Sequence, residues 1–251
     1  MIVKNQISEL ERTENQWKSI YLLGGVAALI VICASLLDIA ISIMLGGDPA
    51  SIPQTAIGRF AQFQSNQLLG LYYLDLLNMT TAVIMIPAFF ALCAAHRGVN
   101  KVYSGLVMIV FCIGTAVFIT NNTALPMLSL SGKYALATTD AHRSLLAAAG
   151  EAMLARGAHG SPGVFLGFLL PIFASFLISL VMLNGGVFGK INAYLGIAGS
   201  ALFIIYFVMA AFIPGTENIA MAIATFGGLL TIAWMILFAI RLLKLRSRSN
   251  V

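Results

Sequence analysis

Two carboxylates, Asp38 and Asp75, stand inside long apolar runs of this 251-residue chain. An ionised side chain in such a run costs roughly 2.5–3.5 kcal/mol on insertion scales, so it turns toward protein or water. Each carboxylate lies seven residues from the same end of the bundle. At about 1.5 Å per residue, both sit about 10 Å below one surface. Asn78 lies one turn from Asp75 on nearly the same helix face. Asn121 and Asn122 approach that level from the third run, and Tyr206 does so from the fifth. Groups of these types do one of two things in a membrane. They tie helices together by hydrogen bonds, or they line a polar pocket that holds a ligand, an ion or a proton. Both readings stand.

A second group lies further along. Asp140, Arg143, Ala147 and Glu151 fall in a narrow stripe, since eleven residues make almost three helical turns. Arg143 pairs with Asp140 locally or reaches Asp38 or Asp75 below. Ala147, Ala148, Ala149 and Gly150 keep this segment slim enough for close packing. The stripe either turns inward over the bundle or presents its charges to water. Lys133, His142 and His159 add no further signal.

Other chemistries lack their residues. His96, His142 and His159 all fall outside the apolar runs. A buried Ser/His pair and haem ligation by paired histidines are therefore not indicated. "GEAMLARGAH" does not have the HExxH spacing that puts two zinc ligands on one face. "GIAGS", at 196–200, has no histidine partner within a run. Cys33, Cys93 and Cys112 lie in apolar surroundings without a CxxC or Cys/His cluster, so they read as small packing residues. No metal site is indicated, and no cofactor is named by any motif.

The elements that must position these groups are membrane spans. The chain is 60% hydrophobic and 9% charged, with mean hydropathy +0.95. Six apolar runs, at 20–45, 68–95, 102–125, 163–183, 191–213 and 219–243, each reach the length of about 20 residues that a spanning helix needs. Residues 1–19 form a polar N-terminal segment, 20–243 the membrane domain and 244–251 a basic tail. The first run is too long for a cleavable signal core and reads as retained.

With the N-terminus inside, ten of the fourteen Lys and Arg residues fall on inner segments, as the positive-inside rule expects. The same rule explains the net charge of +5 better than nucleic acid does. The expected place is a cytoplasmic membrane, with both termini cytoplasmic. Residues 46–67 carry Ile57, Phe60 and Phe63 at helical spacing and read as an outer interfacial helix. Residues 139–156 read as a second outer helix, capped by Thr139 or Asp140 and stopped by Gly157. "HRGVNKVYSG" and "FGKINAYLG" echo each other at two inner turns. They are either a repeated hairpin or two independent tight turns.

"LYYLDLLN" (71–78), "NNTALPMLSLSGKYALATTD" (121–140) and "LLAAAGEAML" (145–154) resemble the bacterial membrane proteins grouped as domain of unknown function 4386. The resemblance covers most of the chain. It implies a multispan bacterial membrane protein, gives no established reaction, and includes Asp75, Asn121, Asn122 and Glu151 among its motifs. The expected architecture is all-α: six transmembrane helices with two outer amphipathic segments. The leading expectation for function is non-enzymatic, the binding, sensing or moving of a small molecule or lipid through an outward-facing polar cavity. The candidate ligand residues are Asp38, Asp75, Asn78, Asn121, Asn122, Arg143, Glu151 and Tyr206. The alternatives are a membrane enzyme on a lipid-like substrate, with Asp75 or Glu151 moving a proton, and an accessory subunit. Apolar walls and a lateral opening would favour a lipid.

Overall fold

The computed structural model describes residues 2–45 and 52–247, with side chains from Gln16 onward. The described residues form ten α-helices and no strand. They are α1 (Ile2–Met44), α2 (Ala56–Ser65), α3 (Gln67–Tyr72), α4 (Leu76–Ala95), α5 (Arg97–Asn121), α6 (Ala124–Leu136), α7 (Asp140–Gly157), α8 (Phe165–Gly185), α9 (Lys190–Phe212) and α10 (Glu217–Ser247). Six segments are long and apolar enough to cross a membrane, carried by α1, α4, α5, α8, α9 and α10. This is the architecture of a multi-pass membrane protein. Large apolar side chains such as Ile30, Leu37, Ile109, Ile113 and Leu229 are exposed on its outer surface. Hydrocarbon rather than water suits such a belt.

The six helices pack as a closed ring in the order α1, α4, α5, α8, α9, α10 and back to α1. Short connections make α4 and α5, α8 and α9, and α9 and α10 antiparallel neighbours, while the longer α1–α4 and α5–α8 connections carry the other four helices. Gly25 near the start of the first span abuts Leu243 near the end of α10, so the two chain ends share one end of the bundle. Close approach depends on small residues. A Cβ on Gly114 would overlap the Pro171 ring of α8, and one on Gly196 would overlap the Ser179 hydroxyl and the Trp234 indole. The "GIAGS" stretch is thus a packing seam. The end of the ring shared by the chain ends is filled: Phe89 stacks on Phe111 at 4.0 Å, and Trp234 meets Phe238 edge-on at 4.8 Å. At this end His96 also stacks on Phe188, bringing the two similar turns into contact.

The other end carries a cap of α2, α3, α6 and α7 over a second apolar core that includes Phe60, Phe63, Leu74, Met127 and Leu154. Here the expectations need correction. The helix at 56–65 is not simply laid on the bilayer, because Phe60 and Phe63 are buried under α6 and α7 while Ile57 faces out. The earlier part of that segment, 46–51, lies outside the described residues. The expected continuous second span is broken. Residues 67–72 form α3, and the spanning helix starts only at Leu76, after Asp75 adopts a left-handed conformation with φ 62°. Asp tolerates that conformation better than most residues. The Leu74 carbonyl at the break accepts a bond from Asn122 Nδ2 at 2.9 Å.

The outer helix forms as expected, with the Thr139 hydroxyl accepting from His142 N. Its inward face is different, comprising Leu146, Gly150, Leu154 and Gly157, not Arg143, Ala147 and Glu151. Two leucines and a glycine that clears Phe60 and Ala56 bury better than a charged stripe.

Candidate functional site

Between the filled end and the cap the ring encloses a cavity of about 390 Å³, to which all six spanning helices contribute. Phe111, Met85, Trp234 and Met235 form its floor. Asp38, Asn78, His159 and Tyr206 stand at its rim. A vestibule of about 330 Å³ above shares those four rim residues and adds Asp75, Tyr72 and Tyr73. A third space of about 540 Å³ runs between the cap-side halves of α1 and α10. It shares Asp38, Phe203, Ala224, Thr231 and Met235 with the central cavity. Its other walls include the exposed Ile39, Ile43 and Leu229, so it opens sideways on the apolar belt. These volumes fall in the range of ligand sites, roughly 300–1,000 Å³.

The rim is held by one hydrogen-bonded chain. Asp75 Oδ1 accepts from Asn78 Nδ2 at 2.8 Å, and Oδ2 meets His159 Nδ1 at 2.9 Å. The other ring nitrogen, Nε2, lies 3.0 Å from the Tyr206 hydroxyl. His159 arrives from the α7–α8 connection, where Gly160 takes a positive φ of 77° and Ser161 N donates to Ala158 O. Protein surrounds its ring, yet 44% of the side chain is accessible from the cavity, whereas Asp75 is 8% accessible. The adjacent Asp75 carboxylate raises the His159 pKa well above 6.5, outweighing burial, which opposes the charge. A charged imidazolium donates from both nitrogens. A neutral ring keeps its proton toward Asp75 and accepts from Tyr206 instead. The chain is therefore competent to pass a proton between the buried carboxylate and the cavity-facing phenol.

Of the sequence candidates, Asp38, Asp75, Asn78 and Tyr206 gather around these spaces. Tyr72 donates to the Asp38 carbonyl oxygen at 3.3 Å. The ion-pair partner of Asp75 is His159, from the α7–α8 connection. Asn121, Asn122, Arg143 and Glu151 line none of the three spaces. Asn121 bridges the end of α5, accepting from Arg156 Nε and donating to Gly163 O. Arg143 Nε donates to Ala137 O at 3.1 Å and reaches neither aspartate. Glu151 Oε1 accepts from Ala56 N at 2.7 Å, capping α2 and clamping α7 to it.

From that contact Glu151→Ala is expected to lower the melting temperature, at the cost of about 1 kcal/mol typical of one lost intramolecular hydrogen bond. Arg143→Ala should change stability by no more than about 0.5 kcal/mol, as at ordinary surface sites. Thermal unfolding in detergent compares them.

His159 is a site residue that the sequence motifs do not mark. Its one signal was position: a histidine in a Gly- and Pro-rich turn, "GAHGSPG", directly before a span. Thr115 is another. It is 2% exposed, lines the cavity, and its hydroxyl has no partner among the described residues. No group of three or more potential metal ligands occurs among the described residues.

No family model, curated protein or solved structure matches the chain.

Proposed function

We propose that the protein binds one amphiphilic, lipid-like molecule, its polar head at the Asp38–His159–Tyr206 rim and its chain in the apolar cavity. The observation that carries this reading is the continuity of the cavity with the groove between α1 and α10. An apolar ligand in the surrounding leaflet has a side entrance and need not cross water. The floor of Phe111, Trp234 and Met235 gives the chain a stop, and the cavity continues sideways into the groove rather than toward the opposite end, which favours binding over transport. The unpartnered Thr115 hydroxyl fits a site completed by ligand or water, because buried polar groups are normally hydrogen-bonded. The resemblance to domain of unknown function 4386 stands beside this reading and assigns no residue a reaction.

Native mass spectrometry tests it. Protein extracted from its own membrane in mild detergent should carry one amphiphile per chain. Wild-type protein that is ligand-free under every mild extraction would contradict the proposal.

A second reading, a membrane enzyme, is favoured by the Asp75–His159–Tyr206 chain, which is built to move a proton. It predicts that the bound amphiphile is chemically changed during incubation and that Tyr206→Phe stops the change without releasing the ligand.

We place the protein in a cytoplasmic membrane, with the filled end of the ring and both termini inside and the cap outside. Ten of fourteen basic residues support that orientation. In a background lacking Cys33, Cys93 and Cys112, an impermeant thiol reagent on intact cells should label Ser144→Cys, on the exposed face of α7, and spare Ser247→Cys. The reverse pattern would turn the cavity toward the cytoplasm.

A further inference from the structure

We propose that the ligand's polar head is a cation, an ammonium group seated on Asp38. This inference rests on the binding reading above and adds the ligand's charge. Asp38 is the one polar residue that lines the central cavity, the vestibule and the lateral groove together. Anything entering from the bilayer between α1 and α10 passes it and settles beside it. Among the described residues no Lys, Arg or His side chain forms an ion pair with Asp38. Among the described residues the only ion pair is His159 with Asp75, so the one cationic side chain that lines these spaces is already matched.

The remaining basic groups of the cap, Arg59, Lys133, His142, Arg143 and Arg156, line none of the three spaces. Arg59 Nη1 donates to Gln62, its guanidinium lies 6.0 Å from the Tyr73 ring, and its charge acts on Asp75 rather than on Asp38. Arg143 and Arg156 bond to Ala137 and to the end of α5. Residues 46–51, Gly-Gly-Asp-Pro-Ala-Ser in sequence, contain no Lys or Arg. Asp38 is therefore the one carboxylate lining these spaces that has no ion-pair partner among the described residues, and it is held where charge is costly.

An anionic head would add a like charge. A neutral head would leave that cost in place, and an ammonium removes it. Tyr72, Tyr206 and Phe203 stand around the same space, and aromatic faces attract a desolvated cation. A phosphate in the head would need a second cation that the lining lacks. The class is therefore a single-chain amine rather than a phospholipid.

The test compares dodecylamine, dodecanol, dodecanoate and a lysophospholipid with an ethanolamine head, each titrated into the full chain in neutral detergent and read by native mass spectrometry. Dodecylamine should bind at least about tenfold tighter than the other three, as a matched and desolvated charge pair allows. Asp38→Asn should shrink that preference to near unity. Asp38→Glu should keep it, and the cap variant Asp140→Asn should leave it untouched. Equal binding of amine, alcohol and carboxylate would overturn the charge assignment while leaving the cavity reading intact. Equal binding of the lysophospholipid would overturn the restriction to simple amines. An amine preference that survives in Asp38→Asn would overturn the seat. If none of the four binds, the cavity reading falls and this inference with it.

Discussion

His159→Ala should lower the stability of the detergent-solubilised protein by about 2 kcal/mol, between the 3–5 of a broken buried pair and the 0–1 of a surface pair. The intermediate figure follows from the geometry. Asp75 is almost fully enclosed, but the imidazole is 44% accessible from the cavity, and water there screens part of the attraction. Removing the ring leaves the Asp75 carboxylate with Asn78 as its remaining side-chain hydrogen-bond partner, and it also frees the turn that closes the cap over α8.

The same pair sets a pH dependence with a definite sign. Because the folded-state pKa of His159 lies above the ordinary value, the stability it contributes is fully present below about pH 6.5, the unfolded value. It is lost as pH rises through the higher folded-state value. Asp75 is the charged group facing the ring, with the Tyr206 hydroxyl on its other nitrogen and the Phe168 ring at its edge. Wild-type melting temperature should therefore decline on the alkaline side, and His159→Gln should flatten that decline. A parallel decline in both proteins would remove His159 as its source. Asp75→Asn, which keeps the side-chain size at the left-handed position, should flatten it too.

The spans were legible because length and hydropathy are properties of a segment by itself. The common level of Asp38, Asn78 and Tyr206 was legible because depth follows from counting residues along a helix. What failed were features set by tertiary contacts. Asp75 sits in an apolar run, and nothing local says that the backbone reverses handedness there. The reversal is held by Asn122 on Leu74 O and by His159 on the carboxylate, from residues 48 and 84 positions away. His159 was discounted because hydropathy placed it outside the spans, although a turn at Gly160 returns it to the cavity rim. The stripe on α7 was read by charge, whereas the packing face was chosen by where a helix can approach Phe60, which is Gly150. Arg143 and Glu151 sit on the neighbouring face and found backbone partners instead of the aspartates.

Entry between α1 and α10 makes Ala224 a sensitive position. This small residue borders both the central cavity and the lateral groove. Ala224→Phe places a ring in the passage without touching the filled end of the ring, so the protein should fold and lose its ligand. Affinity should fall by a factor of about ten or more, since an aromatic ring in a shaped pocket displaces chain contacts each worth about 0.8 kcal/mol per methylene. A variant that folds and binds as well as wild type would place the entrance elsewhere.

The most direct test of a bound apolar chain uses the floor. The protein has two tryptophans, Trp17 and Trp234. Trp17 lies under the Arg97 guanidinium at 3.5 Å, near the end of the ring shared by the chain ends. Trp234 lines the cavity floor and is 1% exposed, so bulk lipid does not reach it. In Trp17→Phe protein, fluorescence from Trp234 should be quenched saturably by a single-chain amphiphile brominated at its chain end. The unbrominated analogue should reverse the quenching, and Ala224→Phe should abolish it. Quenching that rises linearly with probe, is unaffected by the competitor and persists in Ala224→Phe would contradict a chain bound inside the ring.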